Sequence, residues 1–72
     1  MEKVKIIIEL KGGLVNAVYA NTEISYILVE EDNLLVGSKP VSGPYAADEI
    51  FPDPRFLYRD SDLWDKIKHI DF

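Results

Sequence analysis

The sequence predicts a small α+β domain, an antiparallel β-meander joined by a long loop arm to one C-terminal helix. Three observations carry this. Apolar residues alternate with period two over the first strand, a Gly-Gly pair follows it, and apolar residues recur at helical spacing near the end. At 72 residues the chain is one domain, 1–72, divided into a meander over 3–36, an arm over 37–59 and a helix over 60–71.

The first strand takes its pattern from Val4, Ile6, Ile8 and Leu10, set against Lys3, Lys5, Glu9 and Lys11. Only Ile7 interrupts the polar side, so one face is expected to be buried. Gly12-Gly13 supplies the positive φ angles of a two-residue hairpin turn. That turn sets Lys11 opposite Leu14 and Leu10 opposite Val15, and an uninterrupted ladder then pairs Ile8 with Ala17 and Ile6 with Tyr19. Asn21-Thr22 is the next turn. A two-residue turn there pairs Tyr19 with Ile24, Ala17 with Tyr26 and Val15 with Leu28. A three-residue turn slips the strand by one and buries Ser25, so the first register is preferred. Ile7, Val18, Ile27 and Val29 then form a second apolar face, to be covered by later chain or by another subunit.

The string Lys5-Ile6-Ile7-Ile8-Glu9-Leu10-Lys11-Gly12-Gly13-Leu14-Val15-Asn16-Ala17-Val18-Tyr19-Ala20-Asn21, followed by Ile24-Ser25-Tyr26-Ile27-Leu28-Val29-Glu30 and Asp32, resembles a group of short phage-, plasmid- and bacterial-borne proteins. They share a strand, Gly-Gly, a Val-Tyr-Ala/Ser strand and a valine-rich third strand ending in acids. The likeness spans residues 3–32. It implies a mobile-element context and transfers no catalytic residue.

Beyond Glu30 the character changes. Glu30-Glu31-Asp32-Asn33 is a solvated turn, and Leu34-Leu35-Val36 is a candidate fourth strand. Gly37 to Pro44 is rich in breakers and is expected to be loop. A single helical turn is expected from Pro44 through Ile50, closed by Pro52. Asp60 or Ser61 caps the final helix, whose stripe is Leu63, Ile67 and Ile70 with Trp64 beside it. At about two and a half turns it must dock to persist.

Composition narrows the function. There is no cysteine, hence no disulfide and no zinc–thiolate site, and a cytoplasmic setting is expected. No apolar run is long enough to span a bilayer, and no secretory signal is expected. The net charge is −5, and nine acids against three bases between Glu30 and Asp65 give that stretch −6. Direct nucleic-acid binding is therefore disfavoured, as is stacking of bases on Tyr19 and Tyr26.

No motif for chemistry stands out. His69 has Asp65 four residues earlier, a spacing that also suits a plain surface pair. Asp60, Asp62 and Asp65 lack the spacing of a calcium loop and fit helix capping. Gly37-Ser38-Lys39-Pro40 has a proline where a phosphate loop needs a backbone amide. No enzyme, cofactor or metal site is expected. Phe51 to Arg59 combines aromatics and arginines, the residue types of binding hot spots, and also suits an arm that completes the core.

The expected function is a non-enzymatic protein-binding module that associates with itself or with a protein partner. The candidate interface is Ile7, Val18, Ile27, Val29, Phe56, Tyr58, Arg55 and Arg59. Lysines on the first strand discourage edge pairing, so packing through the Val18–Ile27 face is expected. The alternative is an acidic inhibitor of host nucleic-acid or defence machinery that mimics nucleic acid through Glu30, Glu31, Asp32, Asp48, Glu49 and Asp53.

Overall fold

A computed structural model describes residues 3–31 and 40–72. Strand β1 (Ile6–Lys11) turns through Gly12 and Gly13 into β2 (Leu14–Ala20), and both glycines have positive φ, 59° and 80°. The hairpin and its turn are as expected. Its register is not, beyond the first two pairs. Lys11 faces Leu14 and Leu10 faces Val15, but Glu9 then faces Ala17, Ile8 faces Val18, Ile7 faces Tyr19 and Ile6 faces Ala20. Asn16 is the extra residue of a bulge, and its amide donates to Glu9 Oε1 on the facing strand. A polar residue with a cross-strand partner absorbs the slip, and Tyr19 moves to the face shared by Ile7 and Glu9.

Strand β3 (Ser25–Val29) does not pair with β2, so the three-stranded meander is corrected to two small sheets. β3 pairs antiparallel with β4 (Val41–Ala46), with Ser25 opposite Ala46, Tyr26 opposite Tyr45 and Val29 opposite Val41. The Tyr26 and Tyr45 rings lie 5.5 Å apart. The place expected for β3 is taken by β5 (Glu49–Ile50), which runs parallel to β2. Asp48 secures that edge twice. Its amide donates to the Val18 carbonyl at 2.7 Å, and Val18 N donates to its Oδ2, also at 2.7 Å. Phe51 N then donates to the Ala20 carbonyl. Every backbone group on that side of β2 needs a partner once buried, and a short segment with one well-placed carboxylate supplies it.

The arm is therefore structured from Val41 onward, and the helical turn expected from Pro44 is strand instead. Asp53 caps a 3-10 helix (Pro54–Tyr58), its Oδ1 accepting from Arg55 N with Pro54 in the first turn. The proposed fourth strand, Leu34 to Val36, lies outside the described residues.

The C-terminal helix α1 is only Trp64–Ile67, continued by turns to Ile70. Ser61 does not cap it but accepts from Leu63 N through Oγ, a local turn. Arg55 Nη1 donates to the carbonyls of Lys68 and Ile70 at 3.2 and 2.5 Å. Arg55 thus ties the segment after α1 back to the 3-10 helix, and the helix expected over 60–71 is reduced to a single turn.

The core is small. Among the described residues Ala17, Val18, Ala20 and Tyr58 are its buried apolar side chains, and Pro54 is also fully buried. Ile24, just before β3, together with Tyr26 and Leu28 of β3, lines a cavity of about 140 Å³ with Ile6, Ile8 and Val18.

Candidate interaction surface

The eight residues expected to form an interface divide. Val18 is 2 % exposed and Tyr58 is buried, so neither is available to a partner. The slip at Asn16 turns Val18 inward, and Tyr58 does what an arm completing the core would do. Its ring meets Tyr19 edge-on at 5.7 Å, and its hydroxyl donates to Glu9 Oε2 at 2.6 Å. That bond, with the one from Asn16, holds the Glu9 carboxyl below the usual range. Burial and the neighbouring Glu9 push the Tyr58 hydroxyl well above its ordinary value.

Ile27 and Val29 are each 59 % exposed, as expected of an outward face on β3. Phe56 is exposed, lies 5.7 Å from Trp64 and carries the Arg59 guanidinium 5.0 Å above its ring. Arg55 is spent internally. Beyond its carbonyl bonds, it grips Asp53 with Nε at 2.9 Å and Nη2 at 2.6 Å. That clamp lowers the Asp53 carboxyl and raises the Arg55 guanidinium.

The acidic set is similarly thinned. Glu30, Glu31 and Glu49 are exposed, and Asp32 lies outside the described residues. Asp48 is committed to the β2 backbone and Asp53 to Arg55. Asp65 bonds Lys68 at 2.9 Å, not His69. Among the described residues no group of three or more His, Asp or Glu side chains converges to hold a metal. Tyr19 and Tyr26 sit in different sheets and form no shared platform.

The largest departure lies on β1. Val4, Ile6, Ile8 and Leu10, expected to be the buried face, are all exposed, Ile8 by 60 % and Leu10 by 64 %. A two-stranded second sheet has too little area to cover a hairpin whose other face is already held by the 3-10 helix. β1 is also the outer strand of its sheet. Beside it runs an open groove of about 420 Å³, walled by β1 on one side and by Leu63, Ile67, Ile70 and Phe72 on the other. The helical stripe thus faces the β1 edge across a gap and leaves Leu63 and Ile70 exposed.

Alternation alone marked the β1 residues as a pair of faces. It carried no signal for how much chain would be left to cover them. No family model, curated protein or solved structure matches this chain.

Proposed function

We propose that this chain is a small non-enzymatic protein-binding module that works as a self-associated unit. One observation carries the reading: fourteen large apolar side chains are exposed among the described residues, whereas the buried apolar set is Val18, Tyr58 and two alanines. Scattered exposed leucines are ordinary on a monomer, but Ile6, Ile8 and Leu10 lie along β1, with Val4 just before it, and form one stripe. The accessible surface, 5855 Å², supports it. A folded monomer of 8.2 kDa is expected to expose about 4,500 Å². The excess is larger than the roughly 800 Å² that each partner contributes to a standard interface.

The resemblance of residues 3–32 to phage-, plasmid- and bacterial-borne proteins suits a mobile-element setting for such a module. The acidic-mimic alternative draws less support, because Asp48 and Asp53 serve the fold. Light scattering between about 1 and 100 μM tests the reading, a usual span for modest homodimers. The expected result is a mass above the 8.2 kDa of one chain. A mass of one chain at every concentration overturns it. Association that collapses in high salt would instead favour the acidic surface.

A further inference from the structure

We infer that two copies of this chain join along their β1 strands, antiparallel, about a twofold axis passing through Ile7. The result is one continuous sheet of six strands, β5-β2-β1 followed by the partner's β1-β2-β5. The inference rests on the self-association proposed above and specifies its geometry.

The open edge is the first requirement. β1 ends its sheet, and among the described residues no backbone group from another element bonds the outer side of Ile6 or Ile8. The direction of the backbone groups is the second. Lys5 N donates to Asn21 Oδ1 and the Lys5 carbonyl accepts from Asn21 N, so Lys5 turns its polar backbone toward β2. Alternation along a strand sends Ile7 and Glu9 the same way and leaves Val4, Ile6, Ile8 and Leu10 with N–H and C=O groups pointing outward. An incoming copy must therefore pair even-numbered residues with even-numbered residues.

The sequence around Ile7 then selects the register. Lys3-Val4-Lys5-Ile6-Ile7-Ile8-Glu9-Leu10-Lys11 is close to a palindrome in polarity. With the axis at Ile7, Ile6 faces the partner's Ile8, Val4 faces the partner's Leu10, and Ile7 faces the partner's Ile7. Lys5 faces the partner's Glu9 twice by symmetry, in the non-hydrogen-bonded positions where side chains approach most closely. Lys3 meets the partner's Lys11 at the two ends, where both are exposed and water screens them. The two nearest allowed registers are worse. An axis at Ile6 pairs Lys3 with the partner's Glu9 but sets Lys5 against the partner's Ile7, twice, in the apolar centre. An axis at Ile8 sets Glu9 there and Lys5 against the partner's Lys11.

Lys5, which would block an arbitrary strand, thus finds an opposite charge near the centre of this pairing, and Lys3 and Lys11 meet like charge only at its ends. The exposed stripe of Val4, Ile6, Ile8 and Leu10 doubles in length and is joined across the axis. The second copy also adds surface to a hairpin that the described residues cover only in part.

The absence of cysteine gives a clean test with the full chain. Ile7→Cys places a single thiol on the axis, facing its twin, and mild oxidation is expected to convert it to a covalent dimer. Ile6→Cys alone is expected to stay unlinked, because Cα atoms offset by two rungs are more than about 7 Å apart. A mixture of Ile6→Cys and Ile8→Cys chains is expected to link. Lys5 is half-buried with its Nζ 5.9 Å from the Phe72 ring centre, so the fold of Lys5→Glu is checked by its melting curve; the change is expected to weaken the dimer about tenfold, since two attractive pairs become repulsive. If the wild type is dimeric but Ile7→Cys stays unlinked and Lys5→Glu leaves the mass unchanged, the β1 geometry is wrong and self-association stands. If the wild type has the mass of one chain throughout, both are overturned.

Discussion

At the scale of single residues, Tyr58 and Glu9 work as a pair, and their opposite shifts give the fold a stability window in pH. Tyr58 is favoured in its neutral form, so an unfolded chain that ionises near pH 10 gains on the folded one as pH rises further. Stability held below pH 10 is expected to fall above it, and Tyr58→Phe should flatten that loss in a melting-temperature series. Glu9 is favoured as the carboxylate. Its contribution is present above the ordinary carboxyl value, 4.5, and fades as pH drops through the lowered one. Glu9→Gln should therefore flatten the acid limb. The three positive-φ glycines separate backbone strain from collision. Around Gly12 and Gly13 an added Cβ would meet nothing within 4 Å, so Gly13→Ala is expected to cost only the strain of positive φ, about 1–2 kcal/mol. Gly12→Val should cost more, being β-branched. Gly43 has φ 119° and would set a Cβ 3.0 Å from the Tyr26 carbonyl oxygen on the paired strand. Gly43→Ala is expected to cost about 2–3 kcal/mol, strain and clash together, as read from urea midpoints.

Among the elements, the C-terminal segment is the least secured. Four residues of α-helix cannot offset the cost of nucleation, and what holds the segment is Arg55, which bridges Asp53 to the carbonyls of Lys68 and Ile70. Arg55→Ala is expected to raise amide exchange from Trp64 to Ile70 while the β1–β2 hairpin stays protected. Arg55→Lys should not rescue it, since one ammonium cannot span a carboxylate and two carbonyls. Protection of the segment in Arg55→Ala would show that apolar contact alone docks it. Ile67 is half-buried beside the groove rather than sealed in a core. Ile67→Ala is accordingly expected to cost about 1 kcal/mol, well under the value for a fully buried isoleucine.

For the whole molecule, the flattened extent of 41 × 30 × 18 Å and a radius of gyration of 14.3 Å exceed the about 11 Å of a compact chain this long. Two thin sheets and a groove leave apolar surface that another copy can cover. Association then adds to stability by mass action, so the melting temperature should rise with protein concentration. A melting temperature constant between about 1 and 100 μM, a range that brackets ordinary dimer affinities, would contradict a self-associated unit.

What the sequence determined by itself was local. The Gly12-Gly13 hairpin and the alternation of β3 with Ile27 and Val29 outward follow from the chemistry of neighbours along the chain, whereas Tyr58, expected at an interface, is drawn inward by Tyr19 and Glu9. Tertiary structure alone decided which strands share hydrogen bonds. Asn16 shifts the ladder by one because Glu9 is there to accept its amide, and Asp48 places β5 where β3 was expected. Both depend on residues brought together from 7 and 30 positions apart. A bulge and a side chain standing in for a strand leave no periodic trace. The fate of the β1 face was hidden for the same reason, since alternation marks a surface to be covered and is silent on whether this chain or a second copy covers it.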